Sequence, residues 1–364
     1  MKNTFLDYGF SEKEITDRVD GAFHDIFEGP DRFYFDGPDG SGYLMDTGNC
    51  DARTEGISYG MMMSVMMDRQ DYFDRLWKFA VEFMYMDEGP MKGYFAWSVA
   101  PDGKKNAWGP APDGEEFFAA ALLFASERWG DRDGIFRYSE WARKILRACI
   151  HSEIPMWTAD SALIRFVPGC GFSDPSYHLM HFYRIFSMKA DEGDRDFWSR
   201  AENASRKYLV KSCSSETGMS PEYAGFDGKP EHKGPPEGHG DFYSDSYRTG
   251  ANIGLDALWF GKNAGLSEHA DRLVEFFADI PTENFMKYRT DGTPLGEKAL
   301  HPVGLLAALA QTTPACSEKA AEAAEKIVRR FWNTPTRKGC RRYYDNCLYM
   351  FAMLALSGKY TYEF

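Results

Sequence analysis

Six segments of this chain that are apolar on nearly every side alternate strictly with six that carry a charged stripe, and few folds accommodate that alternation. The apolar set runs over about 55–67, 113–129, 175–189, 245–259, 301–312 and 343–357, and the striped set over about 11–27, 70–86, 137–152, 193–211, 264–279 and 316–332. A helix apolar all round is buried on all sides, whereas one with a polar stripe faces water. Alternating β-branched runs bounded by turn residues are hard to find. The apolar segments start every 42 to 70 residues, so the repeating unit is a helical hairpin with a long, variable loop. The expectation is an all-α chain, six inner helices ringed by six outer ones in an (α/α)6 barrel. No Ser/Gly or Pro tract divides the 364 residues, so a single domain over 1–364 is expected.

Charge and composition narrow the function. The formal net charge is −13, which argues against nucleic acid, because phosphate binding needs a basic face. No segment reaches the roughly 18 apolar residues of a membrane span, and the N-terminus has no uninterrupted apolar stretch of the secretory type. A cytoplasmic protein with no membrane partner is expected, and no obligate protein partner is evident. The seven cysteines are odd in number, scattered and never in a C-x-x-C pair, so they read as reduced thiols in packed helices. Aromatic residues make up 16% of the chain, more than a core of this size obviously needs, so some rings are expected to face a ligand.

Long Gly/Pro-rich and aromatic loops precede the buried segments, and sites concentrate in such loops. They are "GYLMDTGNCDART" before Glu55, "APDGKKNAWGPAP" before Asp113, "GFSD" before Pro175 and "EHKGPPEGHGDFYS" before Asp245. If the inner helices run the same way, these loops gather at one end as an acidic, aromatic-lined cleft.

Each carboxylate has a plain and a chemical reading. Glu55 is either a first-turn acid behind a Thr54 N-cap or a desolvated general acid, with Gly56 and Gly60 clearing one helix face for a ligand or backbone. Asp113 with Glu116 forms a variant capping box, or else the stiff "WGPAP" entry preorganises Asp113 for a ligand. Ser244 or Asp245 is an N-cap, or Asp245, paired with Arg248 one turn on, is an ionised general base. A protonated acid and an ionised base at the mouths of two inner helices are what glycosidic hydrolysis requires.

Other side chains join them as binding candidates. Tyr177 opens a buried helix and is placed to present its hydroxyl to the cleft, while Tyr183 lies deeper and reads more as core. His301 precedes a proline at a helix start, and Tyr344 opens the last apolar segment. Trp97 suits a sugar platform, since a flat ring matches the C–H face of a pyranose. His232, His239 and Asp241 lack a metal-ligand spacing, so no metal is expected.

Three segments, taken together, resemble family-8 glycoside hydrolases. "APDGEEFFAAALLFASERW" is similar to the family signature, "RTEGISYGMM" to the segment carrying its general acid, and "FYSDSYRTGANIGLD" to that carrying its base, in the expected order. The resemblance implies an (α/α)6 barrel and an inverting mechanism without metal or organic cofactor. It makes Glu55 the general acid, Asp245 the general base, and Asp113 the holder of the sugar at the cleavage subsite, with Tyr177 or Tyr183, of which Tyr177 is favoured, holding the attacking water. The signature departs from the usual pattern at Pro112 and Glu115. With "GISYGMM", "DPSYHL" and "LHPVGLLA", that variant most resembles family members that release xylose from the reducing end of short xylo-oligosaccharides. In those enzymes a loop histidine, here His301, closes the cleft beyond the leaving-group subsite. Competing expectations are an endo-acting glycanase of the same family, an α/α-barrel epimerase using His178, His181 and His301, and a non-catalytic helical adaptor.

Overall fold

The computed structural model describes residues 2–232 and 238–363. In chain order the helices are α1 (Thr4–Asp7), α2 (Glu12–Phe27), α3 (Thr54–Met66), α4 (Gln70–Phe79), α5 (Pro112–Trp129), α6 (Tyr138–His151), α7 (Met180–Lys189), α8 (Arg195–Ser212), α9 (Tyr247–Phe260), α10 (Ala264–Ala278), α11 (Pro302–Thr312), α12 (Ala321–Asn333) and α13 (Arg342–Leu356). The twelve expected segments correspond to α2 through α13. The striped set takes the even numbers and the apolar set the odd.

The odd-numbered helices from α3 to α13 form a closed ring, in which each packs on the next and α13 returns to α3. The striped helices sit outside, α4 on α3, α6 on α5, α8 on α7, α10 on α9, α12 on α11 and α2 on α13. Burial follows position. Every residue of α13 from Tyr343 to Leu356 is buried, whereas α2 buries Ile15, Val19, Ala22, Phe23, Ile26 and Phe27 on one face and starts from a Ser11–Glu14 capping box. Gly254 marks how closely two inner helices approach, because a Cβ there would lie 1.7 Å from the Gln311 carbonyl oxygen at the end of α11.

The structure adds short strands that the sequence pattern did not show. β1 (Tyr34–Asp36), β2 (Gly42–Asp46), β3 (Asp51–Arg53) and β4 (Ser98–Val99) form an antiparallel sheet in that order. β5 (Phe172–Ser173) pairs with β6 (Ala224–Gly225), and β7 (Met286–Tyr288) with β8 (Pro294–Lys298). Runs of two to five residues are too short for period-2 patterning to show. The first sheet matters for placement, since β3 leads directly into α3 and the Thr54 amide donates to the Trp97 carbonyl at 3.0 Å.

Two inner helices begin later than their apolar runs. Residues Pro175–Tyr177 form a 3-10 turn ahead of α7, and Ser244–Ser246 another ahead of α9. Pro175 cannot donate to a helix, and the Asp174 side chain accepts the Ser176 amide at 2.7 Å and holds that turn.

Candidate active site

Residues at the N-terminal ends of all six inner helices line two adjoining cavities, so the inner helices run the same way. The larger, about 310 Å³, is walled by Glu55, Asp113, Tyr177, Asp245, Arg248 and Trp97, together with Arg53, Phe166 and Tyr223. The smaller, about 180 Å³, is walled by Asp46, Arg341, Leu300, His301, Tyr343 and Tyr344. Glu55, Asp245 and Arg53 belong to both. The two acids therefore stand where the chambers meet.

Arg248 is the hub. Its Nη1 donates to Glu55 Oε2 at 3.0 Å, to Asp113 Oδ2 at 2.8 Å and to the Tyr59 hydroxyl at 3.0 Å, and its Nη2 lies 3.3 Å from Asp245 Oδ1. One planar guanidinium thus ties together three carboxylates from α3, α5 and the turn before α9. The plain capping readings do not hold: Arg53, not Thr54, is the N-cap of α3, the backbone amide that Asp113 accepts is that of the adjacent Gly114, and Tyr243 with Ser246 caps the turn that carries Asp245. Glu116 reaches the Tyr183 hydroxyl instead of forming a capping box.

Burial sets the electrostatics. It pushes the Glu55 carboxyl up to about 7, with Arg248 opposing the rise and Asp113 and Asp245 adding to it. Asp113 is raised by burial against the same pull from Arg248. Asp245 keeps 35% of its side chain exposed, against 16% for Glu55, so the two acids differ in their access to water. Ser244, the residue before Asp245, has φ +31, and its carbonyl accepts the Tyr344 hydroxyl at 3.3 Å. That strained turn aims the acid.

Tyr183 is not in the cleft. It is fully buried, its hydroxyl is taken up by Glu116 and by the Tyr177 carbonyl at 3.0 Å, and its ring packs on Trp157 and Trp198. It supports Tyr177 from below, whereas Tyr177 lines the larger chamber with the Arg248 guanidinium 5.6 Å from its ring. Gly56 and Gly60 make room for protein, not ligand: Cβ atoms there would meet the Tyr343 hydroxyl at 2.6 Å and Leu44 Cδ1 at 2.1 Å. His301 caps α11 without a side-chain bond to it, and its Nδ1 meets Asp345 Oδ2 at 2.7 Å.

The remaining histidines stand apart. His178 lies between the Ser173 and Ser205 hydroxyls, and burial pushes it and His181 down to about 3. Neither ring lines the two chambers, so of the three histidines of the epimerase reading His301 alone stands at the cleft. His239 pairs with Glu222 at 2.8 Å. Residues 233–237 of the loop before Asp245 lie outside the described residues, and among the described ones no group of three potential ligands gathers for a metal.

Several cleft residues escaped the sequence reading. Arg53 had a legible signal, since a cation at a helix N-terminus is disfavoured by the dipole and needs another reason to be there. It lies over the Trp97 ring at 5.3 Å and reaches Asp46 and Asp51 at 3.2 and 3.0 Å. Tyr343 was hidden beside Tyr344, while Phe166 and Tyr223 carried no signal beyond the general excess of aromatic residues.

A closed double ring of helices with paired acids at the mouth of its inner helices defines a class of glycosidase, and the comparisons agree. The model of glycosyl hydrolases family 8 matches residues 39–358, and the chain belongs to that family. It is 53% identical to the reducing end xylose-releasing exo-oligoxylanase of Halalkalibacterium halodurans, over all of this chain and 94% of the relative. The corresponding enzyme of Bifidobacterium adolescentis is 51% identical, over all of this chain and 97% of the relative. A crystal structure of a reducing-end-xylose releasing exo-oligoxylanase complexed with xylose superposes with a TM-score of 0.97 at 53% identity, covering 100% of this chain and 97% of the other. The (α/α)6 architecture and the glycoside hydrolase class expected from sequence both stand.

Proposed function

We propose that this enzyme inverts and hydrolyses short β-1,4-xylo-oligosaccharides of three or more units, releasing xylose from the reducing end. The carrying observation is the inequality of the chambers on either side of Glu55 and Asp245. The smaller holds about 180 Å³ against about 310 Å³ for the larger, which suits one sugar ring on the leaving side, with Leu300 and His301 as its end wall. The larger chamber, with Trp97 as a platform, takes the rest of the chain.

In this reading Glu55, protonated below about pH 7, gives its proton to the glycosidic oxygen as the bond breaks. Asp245 takes a proton from the attacking water on the opposite face of the sugar, and Tyr177 holds that water. Asp113, fixed by Arg248, binds the sugar at the cleavage subsite as it distorts toward the oxocarbenium-like transition state. Arg248 contacts Glu55 through one terminal nitrogen and Asp245 through the other, an arrangement that leaves room for the roughly 6.5–9.5 Å spacing of inverting enzymes. Tyr344 and His301 line the leaving side.

Residues 1–364 act as one catalytic unit, a reading supported by the closure of the inner ring by α13 on α3. A cytoplasmic location is supported by seven free cysteines, three of them at least partly open to solvent. No helix among the described residues is long and apolar enough to cross a membrane.

The test is chromatography of products from xylotriose labelled at its reducing end, with polymeric xylan and a cello-oligosaccharide alongside. Labelled xylose with unlabelled xylobiose, and xylan untouched, is the expected result. Label retained in longer products, or preference for the glucan, would overturn the assignment in favour of an endo-glycanase.

A further inference from the structure

The end wall of the leaving-group chamber is held from behind by a residue that lines neither chamber. Arg337 lies in the connection between α12 and α13. Its Nη1 donates to the Leu300 carbonyl at 2.6 Å and to Asp345 Oδ2 at 2.6 Å. The same Asp345 oxygen meets His301 Nδ1 at 2.7 Å, while Asp345 Oδ1 accepts the Gly304 amide at 2.8 Å. One guanidinium nitrogen therefore grips both wall residues, Leu300 through its backbone and His301 through a fully buried carboxylate.

Besides Arg337, the wall is braced by the Tyr344 ring, whose centroid stands 4.8 Å from that of His301, and by the Leu305 amide, which donates to the His301 carbonyl at 2.9 Å. The wall is the short link between β8, exposed along its whole length, and α11. On the β8 side the Ala299 amide donates to the Phe285 carbonyl at 2.9 Å. Arg337 is itself clamped: its amide donates to Asn346 Oδ1 at 2.7 Å, and Asn346 Nδ2 donates to its carbonyl at 3.0 Å. Asn346 and Asp345 are neighbours on α13, so the wall is referenced to the inner ring and not to the exposed hairpin. Charge-assisted bonds of this kind fix geometry as well as adding energy.

We propose that Arg337 is a specificity-determining positioning residue, which limits the leaving group to one sugar by holding Leu300 and His301 against the chamber. This rests on the exo reading of the cleft given above. Without its two bonds the link between Ala299 and Pro302 can swing outward, and a second sugar then fits beyond the first.

The test uses the full-length enzyme and xylotetraose labelled at its reducing end. Wild type puts the label in xylose. Arg337→Met keeps the aliphatic stem but removes both donors, and is expected to raise the labelled xylobiose fraction at least tenfold. Arg337→Lys, which retains a cation able to reach one acceptor, is expected to return the pattern most of the way to wild type. A merely structural arginine would lower melting temperature and rate without moving the label, and that result with Arg337→Met overturns the proposal. Should Arg337→Met fail to fold, Asn346→Ala loosens the same clamp and carries the same expectation, with unmoved label again the overturning result. Labelled xylobiose as a main product of the wild-type digest would instead count against the exo reading, and so against any wall for Arg337 to hold.

Discussion

The Tyr343 hydroxyl donates to Glu55 Oε1 at 2.9 Å, joining the helix that closes the inner ring to the one that opens it, across 288 residues of sequence. Burial keeps the phenol protonated far above neutral pH, so Tyr343 is a permanent donor to the proposed general acid.

That bond favours the charged form of Glu55. Tyr343→Phe is therefore expected to move the alkaline limb of kcat/KM, expected near pH 7 in the wild type from the raised Glu55 carboxyl, to higher pH. Gly56→Ala, whose Cβ would stand 2.6 Å from the Tyr343 hydroxyl, is expected to shift it the same way by pushing that group aside. A pH–rate profile on xylotriose checks both.

Glu55→Gln is expected to lower kcat by roughly 10²–10⁴-fold, the usual contribution of general acid catalysis. The same substitution has a stability signature. A carboxyl raised from 4.5 to about 7 on folding binds its proton more tightly in the native state, so stability falls as pH rises through that window. Glu55→Gln lacks that loss. The melting temperature of the wild type should drop relative to the variant between pH 5 and pH 8, as differential scanning fluorimetry would show.

Arg248→Met removes the cation shared by Glu55, Asp113 and Asp245 and leaves them facing one another in a buried site. Breaking a buried pair by deleting one partner costs about 3–5 kcal/mol. Urea unfolding at pH 7 should register a loss of that order, together with loss of activity, and a milder loss at pH 5, where protonated acids repel less.

Tyr177→Phe and Tyr183→Phe should separate cleanly. The first is expected to lower kcat with little change in melting temperature. The second strips a donor from buried Glu116 and should cost about 1–3 kcal/mol of stability while sparing KM. Paired kinetics and thermal denaturation on the two variants give the answer.

Periodicity carried the architecture because the number of buried faces on a helix is written in its own residues. The apolar runs around Met61 and Ala120 have no polar stripe to turn to water, while the stripe of α2 does. The strands β1 to β4 stayed hidden because a two- to five-residue run held by its neighbours needs no pattern of its own. In the site, Glu55, Asp113 and Asp245 were legible as acids at helix mouths after long loops. Tyr177 was legible as the ring at the helix mouth and Tyr183 as the deeper one, but that the Tyr183 hydroxyl is spent on Glu116 depends on how two inner helices meet.

The sequence by itself determined the all-α double ring, the end at which its chemistry gathers and the acids that stand there, since each follows from local composition and helix period. Only the tertiary structure decided that Arg248 bridges three carboxylates, that Tyr343 feeds a proton donor to Glu55, and that Arg337 and Asp345 stand behind Leu300 and His301. Those contacts join residues separated by up to 288 positions, and their geometry depends on how the closed ring sets one helix against another, which no local pattern encodes.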